Sequence, residues 1–134
     1  MMPVTGCHPN GIVFGPGENL MLGCSAKGDA GMLPVMVIIN WKTGKVVAKV
    51  PGAGGADEIA YSKKNQQYYT GSAGMQAVFV IDAVTNTLVQ KIDFPAGKGR
   101  THSVAASDVT GKVFIPENTD HGGCGCMGVW APAK

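Results

Sequence analysis

Short apolar runs separated by polar turns form the main pattern of this chain. VMVII from Val35 and VFVI from Val78 are typical runs, and KTGK, VTNT and VTGK are typical turns. Short runs rich in β-branched residues predict β-strands, and turns of this kind predict hairpins between them. The apolar positions are consecutive rather than alternating, which indicates strands that are buried on both faces.

The inner hairpins repeat along the sequence. EIAYSKKNQQYYTGS from Glu58 aligns with SVAASDVTGKVFIPE from Ser103, 45 residues further on. GIVFGPGENLMLGCS from Gly11 aligns with the same segment at an offset of 47, which places Leu22 on Tyr69. Each copy contains a strand, a polar turn and a second strand, so the chain carries three inner hairpins.

The segments that follow the first two hairpins repeat as well. VIINWKTGKVVAKV aligns with VFVIDAVTNTLVQKI, with Asn40 on Asp82 and an offset of 42. Four short strands in a period of this length are the signature of a β-propeller blade. The sequence therefore predicts an all-β fold of four-stranded antiparallel blades, with about three blades, or half a propeller, in this chain.

These blades are predicted to form a single repeat domain over residues 1–134, at approximately 8–50, 57–92 and 102–131. The predicted strands are 11–15, 20–24, 35–40, 45–50, 58–62, 67–72, 77–82, 87–92, 103–107, 112–116 and 127–131. The third blade lacks a fourth strand. Residues 1–5 stand where the outermost strand of a preceding blade is expected.

The composition suits short strands and excludes several partners. Of 134 residues 20 are glycine, and only 15% are charged, which is not typical of a helical bundle. The formal charge of +2 comes from scattered lysines, so nucleic acid is not expected as a partner. The longest apolar stretch, 32–41, is about half a membrane span, and the first residues do not resemble a signal peptide. We expect no contact with a membrane.

Four cysteines, Cys7, Cys24, Cys124 and Cys126, allow three complete disulfide pairings. An even number of cysteines in a Gly-rich β domain favours an oxidising compartment, although buried reduced thiols remain an alternative. Cys7 and Cys24 flank the first inner hairpin and are one candidate pair. Cys124 and Cys126 form a second candidate pair, or one of them pairs with Cys7 or Cys24.

The repeat resembles a known family. VFVIDAVTNTLVQKI, followed by a Gly-containing turn and HSVAASDVTGKVFIPE, is similar to the YVTN-type β-propeller repeat, which is related in shape to lactonase and gluconolactonase-like propellers. The resemblance implies a bacterial, exported protein, and so a periplasmic or secreted location. Members of the family are typically seven-bladed, so this chain resembles the C-terminal part of one, and the alternative is a short gene product that forms a half-ring.

The resemblance also bears on assembly. Such propellers close their ring when an N-terminal strand completes the last blade, and an open arc would leave apolar faces and a strand edge exposed. We therefore expect a homodimer in which Met2–Thr5 of one copy completes the third blade of the other, forming a closed six-bladed ring.

The alignment places three polar residues, Asn10, Asp57 and His102, at one equivalent position near the start of each inner strand. Inner strands surround a propeller channel, so these residues and the neighbouring Glu58 are predicted to line it. Their oxygen and imidazole groups could hold a divalent cation, as gluconolactonase-like relatives do, with His102 or Asp57 as a general base. The alternative is that these polar groups simply hydrogen-bond backbone and water.

A second candidate cluster lies in the loop PENTDHGGCGCMG. It contains Glu117, Asp120, His121, Cys124 and Cys126. A C-x-C pair lacks the spacing of a standard zinc site, which favours a disulfide instead.

Two functions fit these features, and a third hypothesis is a fragment with no independent function. The first is a binding or scaffold module that acts through a propeller face. The alternative is a metal-dependent, lactonase-like hydrolase in the channel, and the sequence does not decide whether the protein is an enzyme.

Overall fold

The computed structural model describes residues 2–24, 35–94, 101–119 and 122–131, which contain eleven β-strands in three antiparallel sheets. The strands are β1 Pro9–Phe14, β2 Asn19–Cys24, β3 Val35–Asn40, β4 Val46–Pro51, β5 Glu58–Ser62, β6 Gln67–Ser72, β7 Ala77–Asp82, β8 Thr87–Asp93, β9 Ala105–Ala106, β10 Val113–Glu117 and β11 Cys126–Trp130. Blade 1 has the order β1-β2-β3-β4, blade 2 has β5-β6-β7-β8, and blade 3 has β11-β10-β9.

The predicted strands are confirmed, with ends that differ by at most two residues. The inner strand of blade 3 is the most changed, since only Ala105–Ala106 of the predicted 103–107 pairs with β10. The Thr101 hydroxyl donates to the carbonyl of Ser103 at 2.8 Å and accepts from its amide at 3.2 Å. These local hydrogen bonds occupy backbone groups that a longer strand would pair across the sheet. The predicted loop at 26–34 lies outside the described residues.

Two apolar cores lie between the blades. In the first, Met21, Met36 and Ile38 of blade 1 pack with Tyr68 and Phe79 of blade 2. In the second, the buried residues of blades 2 and 3 pack together: Tyr69, Val78, Val80, Val113 and Ile115. Neighbouring residues of β6 and β7 thus enter opposite cores, which explains why their sequences are apolar at consecutive positions.

The predicted equivalence of Leu22 and Tyr69 is wrong by one residue. Leu22 packs on the face of blade 1 that points away from blade 2, whereas Tyr69 faces the following blade. Met21 is the true counterpart of Tyr69, because it faces blade 2. The amide of Gly15 donates to the carbonyl of Asn19, so three residues form the turn of the first hairpin. Four residues lie between the paired Ser62 and Gln67 of the second hairpin, so the first turn is one residue shorter. A shift of one residue exchanges the two faces of a strand.

The aligned turn residues Asn40 and Asp82 make the same hydrogen bonds. Asp82 Oδ1 accepts from the Thr85 amide at 2.7 Å, the Val84 amide at 2.8 Å and the Thr85 hydroxyl at 3.0 Å. Asn40 Oδ1 accepts the corresponding three hydrogen bonds in blade 1. The hydrogen bonds that Asp82 accepts from the amide and the hydroxyl of Thr85 lower its pKa below the ordinary 3.8.

We expect Asp82→Ala to lower the free energy of unfolding by about 1–2 kcal/mol at pH 7, because three turn donors lose their acceptor. Asp82→Asn keeps that acceptor, as Asn40 does in blade 1, and is expected to cost less. Since folding lowers the pKa of Asp82, its charge stabilises the fold above pH 3.8, and this contribution is lost as the pH falls through the lowered pKa. Urea unfolding at several pH values measures both effects; equal losses in the two variants would contradict the account.

Two paired glycines let blade 1 approach blade 2 closely. Gly11 on β1 is the cross-strand partner of Gly23 on β2. A Cβ atom on Gly11 would lie 2.6 Å from the carbonyl oxygen of Asp57, and one on Gly23 would lie 2.6 Å from that of Ala56. Only glycine fits this approach without a shift of backbone, and the approach brings the start of β1 beside Asp57.

Residues 2–5 form no strand in the single chain. Val4 packs against the outward-facing cluster of blade 1, and Met2 lies beside Gly44 in the turn between β3 and β4. Cys7 follows this segment and is bonded to Cys24 at the end of β2. The first residues are therefore held against their own blade.

Candidate functional site

The three polar residues predicted at equivalent positions do contact one another. Asn10 Nδ2 donates a hydrogen bond to Asp57 Oδ1 at 3.2 Å, and His102 Nδ1 lies 2.7 Å from Asp57 Oδ2. The side chains of His102 and Asp57 are 48% and 45% exposed. We call these three residues the axial cluster, because each lies at or just before an inner strand of a different blade.

The backbone explains why these side chains meet. The ladder between β1 and β2 is irregular between Pro9 and Gly11, so Asn10 lies in a bulge. Bulges change the direction of a side chain, and the small Gly11 permits the close approach to Asp57. On the other side, β5 lies against β9, which brings His102 to Asp57.

Glu58, the fourth predicted channel residue, takes a different place. It begins β5, and its side chain is exposed. Its backbone carbonyl accepts a hydrogen bond from the hydroxyl of the buried Thr70 at 3.2 Å. The described contacts of Glu58 therefore position β5 against β6 and do not extend the axial cluster.

The hydrogen bonds define what the axial cluster can do. A carboxylate at Nδ1 favours the imidazole tautomer with its proton on Nδ1, which leaves Nε2 of His102 as an acceptor. Asp57 already uses one oxygen for the Asn10 amide and the other for His102. As placed, the three residues therefore form a hydrogen-bonded polar site.

Both cysteine pairs are disulfides, which settles the connectivity. Cys7 bonds to Cys24 and Cys124 bonds to Cys126, with Cα separations of 5.0 and 5.2 Å. The first pair confirms the prediction from the hairpin, and pairing between the two ends of the chain is wrong. The first disulfide is buried, whereas both cysteines of the second are exposed.

The structure describes three of the five residues of the second candidate cluster. Glu117 lies with Cys124 and Cys126, and its Oε2 is 3.5 Å from Cys124 Sγ. Both sulfurs are in the disulfide, so neither is a thiolate ligand in this state. Asp120 and His121 lie outside the described residues.

Two clefts adjoin blade 3. The first, of about 420 Å³, contains His102, Glu117 and Cys126 in its wall, so one residue of the axial cluster and the second disulfide border a common space. The second, of about 520 Å³, lies between β8 and β11, with Val89, Ile92 and Trp130 in its wall. Sequence reasoning did not identify either cleft.

The comparisons with known proteins agree with this architecture. The chain is similar to hydrazine synthase of Kuenenia stuttgartiensis, with a TM-score of 0.63 and 14% identity, over 80% of this chain and 28% of that one. It is similar to the WD40 repeats of RRP9, with a TM-score of 0.65 and 8% identity over 86% of this chain and 34% of that one. It is also similar to the structure of U3-55K, with a TM-score of 0.64 and 9% identity over 86% of this chain and 35% of that one.

The fold is therefore that of β-propeller blades, and the chain spans about a third of the length of each of these structures. Protein-family models give no match to the sequence, and neither do curated proteins. In the part of the chain that the structure describes, no helix has the length and apolar character needed to cross a membrane.

Proposed function

We propose that this chain is a binding module of the β-propeller type whose ligand binds at the axial cluster. The contact among Asn10, Asp57 and His102 carries the proposal. An amide, a carboxylate and an imidazole from three neighbouring blades converge there and remain exposed. Together they offer hydrogen-bond donors and acceptors to a small polar ligand, which is what a specific binding site requires.

We also propose that a second copy of the chain completes the ring. The face of blade 3 that points away from blade 2 carries the apolar side chains of Phe114, Met127 and Val129, and the last two are more than half exposed. Proteins in solution usually cover such a face and such a strand edge. Two arcs of three blades would cover both faces, and twofold symmetry would close a six-bladed ring.

In this assembly residues 2–5 supply a fourth, outer strand to blade 3 of the partner. The segment lies against its own blade in the single chain, so it must turn away on assembly. Gly6 has a φ of 76° and lies between the segment and the disulfide at Cys7, which makes it a suitable hinge. The incoming strand would pair with β11 and border the cleft lined by Val89 and Trp130.

The sequence repeat and the disulfides support a proposal on the family and the compartment of this protein. We propose that residues 1–134 form one domain of the YVTN-type repeat family and that the protein works in the periplasm or outside the cell. The D-x-x-T-N-T turn supports the family, since Asp82 and Thr85 make the hydrogen bonds of that turn. Two disulfides support the compartment, because such bonds persist mainly where conditions are oxidising.

A lactonase-like hydrolase is the second candidate, and the contact between Asp57 and His102 favours it. A carboxylate that holds Nδ1 at 2.7 Å orients the ring, and Nε2 can then take a proton from an attacking water. In this version His102 is the general base and Asp57 is its positioning residue. A divalent cation stays a prediction for this site, and a chelator tests it.

Amide NMR spectra with a set of sugar lactones and hydroxy acids distinguish these functions. We expect shifts near residues 10, 57 and 102 that disappear in Asp57→Ala, while the lactones remain intact. Asp93→Asn is the control, since Asp93 pairs with Lys91 on the outer strand and should leave the shifts unchanged. Turnover that Asp57→Ala or a chelator abolishes would replace the binding module by the hydrolase. Absence of both shifts and turnover would contradict both functions.

A further inference from the structure

The two disulfides differ in ways that point to different roles. Cys7 and Cys24 are separated by 17 positions, and they are only 8% and 1% exposed. Cys124 and Cys126 are separated by 2 positions, and both are exposed. A cross-link stabilises a fold mainly by restricting the unfolded chain, and it does so less when the closed loop is short. Stability therefore accounts well for the first disulfide and poorly for the second.

Exposure makes the second disulfide accessible to thiols. Exchange begins when a thiolate attacks one sulfur of the bond, so a disulfide reacts only where a thiolate can reach it. Buried disulfides are protected from this attack, whereas exposed ones are the ones that take part in exchange. Cys126 also borders the cleft of about 420 Å³, which gives an incoming thiol a place to bind beside the sulfur.

Glu117 supplies a second functional group at the same place. Its carboxylate borders the cleft, and Oε2 lies 3.5 Å from Cys124 Sγ. A carboxylate there can accept the proton of an incoming thiol and pass it to the sulfur that leaves. The cleft, the exposed bond and a proton acceptor are thus present together.

We propose that Cys124, Gly125 and Cys126 form a dithiol–disulfide exchange site whose substrates are accessible dithiols of other molecules. This activity goes beyond the ligand binding proposed for the axial cluster and does not depend on it. Cys126 is the sulfur attacked, because it borders the cleft. Cys124 is the sulfur that leaves, because it lies beside Glu117.

The reaction balances without a further reagent. The first thiol of the substrate forms a bond to Cys126 Sγ, the bond between the two protein sulfurs breaks, and the proton of that thiol ends on Cys124. The second thiol then attacks the mixed disulfide and Cys126 leaves as a thiol. The substrate dithiol is oxidised to a disulfide, and the protein disulfide is reduced to a dithiol.

Graded reduction tests the proposal. The folded protein is equilibrated with dithiothreitol, trapped with an alkylating agent and mapped by mass spectrometry, while circular dichroism reports the fold. We expect half-reduction of the pair Cys124–Cys126 at a dithiothreitol concentration at least about tenfold below that for Cys7–Cys24, with the sheets retained. Reduction of both pairs together, or of Cys124–Cys126 only on unfolding, would overturn it.

Single variants test the assignment of the two sulfurs. Cys124→Ser leaves the thiol of Cys126 at the cleft, and Cys126→Ser leaves that of Cys124 beside Glu117. We expect the first variant to form a mixed disulfide with oxidised glutathione several-fold faster than the second. Equal rates, or the reverse order, would contradict the roles given to Cys126 and Cys124.

Glu117→Gln tests the proton transfer through its pH dependence. We expect slower reduction by dithiothreitol at neutral pH, and a smaller difference from the native protein as the pH rises above about 8.5, where a thiol ionises unaided. A merely structural role for Glu117 would give a difference that does not change with pH, and that result would remove Glu117 from the mechanism.

Discussion

Replacing Phe79 with alanine is expected to lower the free energy of unfolding by about 3–5 kcal/mol, the usual cost of removing a buried aromatic ring. Phe79 is 0% exposed and belongs to the core between blades 1 and 2. Its neighbours there include Met36 and Ile38, which belong to the opposite sheet. The loss would therefore weaken the contact between blades as well as the sheet that contains Phe79.

Phe79→Leu is the matched control, because leucine keeps most of the apolar volume and is expected to cost much less. Val89→Ala provides a second comparison on β8, where the side chain is 55% exposed. Urea unfolding followed by circular dichroism measures all three variants. A loss below about 1 kcal/mol for Phe79→Ala would mean that this core is not packed as described.

Removal of the disulfide between Cys7 and Cys24 is also expected to cause a large loss in the free energy of unfolding. We expect the double variant Cys7→Ser with Cys24→Ser to lose about 3 kcal/mol, because the unfolded chain regains the freedom of a closed loop of this length. The change also releases the segment that carries Val4, which packs on the outward face of blade 1. Both effects act in the same direction.

The second disulfide supplies the control for the first. Cys124→Ser with Cys126→Ser opens a much smaller loop at an exposed site, so we expect a clearly smaller loss. Thermal unfolding without reductant compares the two double variants and the native protein. Losses of equal size would show that the length of the closed loop does not determine the contribution of either disulfide.

Much of the fold could be predicted because the repeated segments of the sequence can be compared with one another. Asn40 aligns with Asp82 by sequence, and the two turns prove to share their hydrogen bonds. The alignment failed at Leu22, where a turn shorter by one residue moved the strand by one position. Apolar residues occupy both faces of these strands, so hydrophobicity alone could not reveal that shift.

The axial cluster was predictable for the same reason. Equivalent positions in neighbouring blades lie close together around an axis, so the alignment alone grouped Asn10, Asp57 and His102. The hydrogen bonds that join them depend on a bulge at Asn10 and a close approach at Gly11, which no periodicity reveals. The pairing of Cys124 with Cys126 was one of several open choices, because three-dimensional proximity decides connectivity.

The molar mass in solution tests the central claim, that two arcs of three blades complete one propeller. Light scattering on a size-exclusion column, at several concentrations and without reductant, is expected to give twice the chain mass of 13.8 kDa. Deleting residues 2–5 should shift the protein towards a single chain, because those residues supply the outer strand of the partner. A mass of 13.8 kDa at every concentration would contradict the ring, and the exposed face of blade 3 would then need another partner.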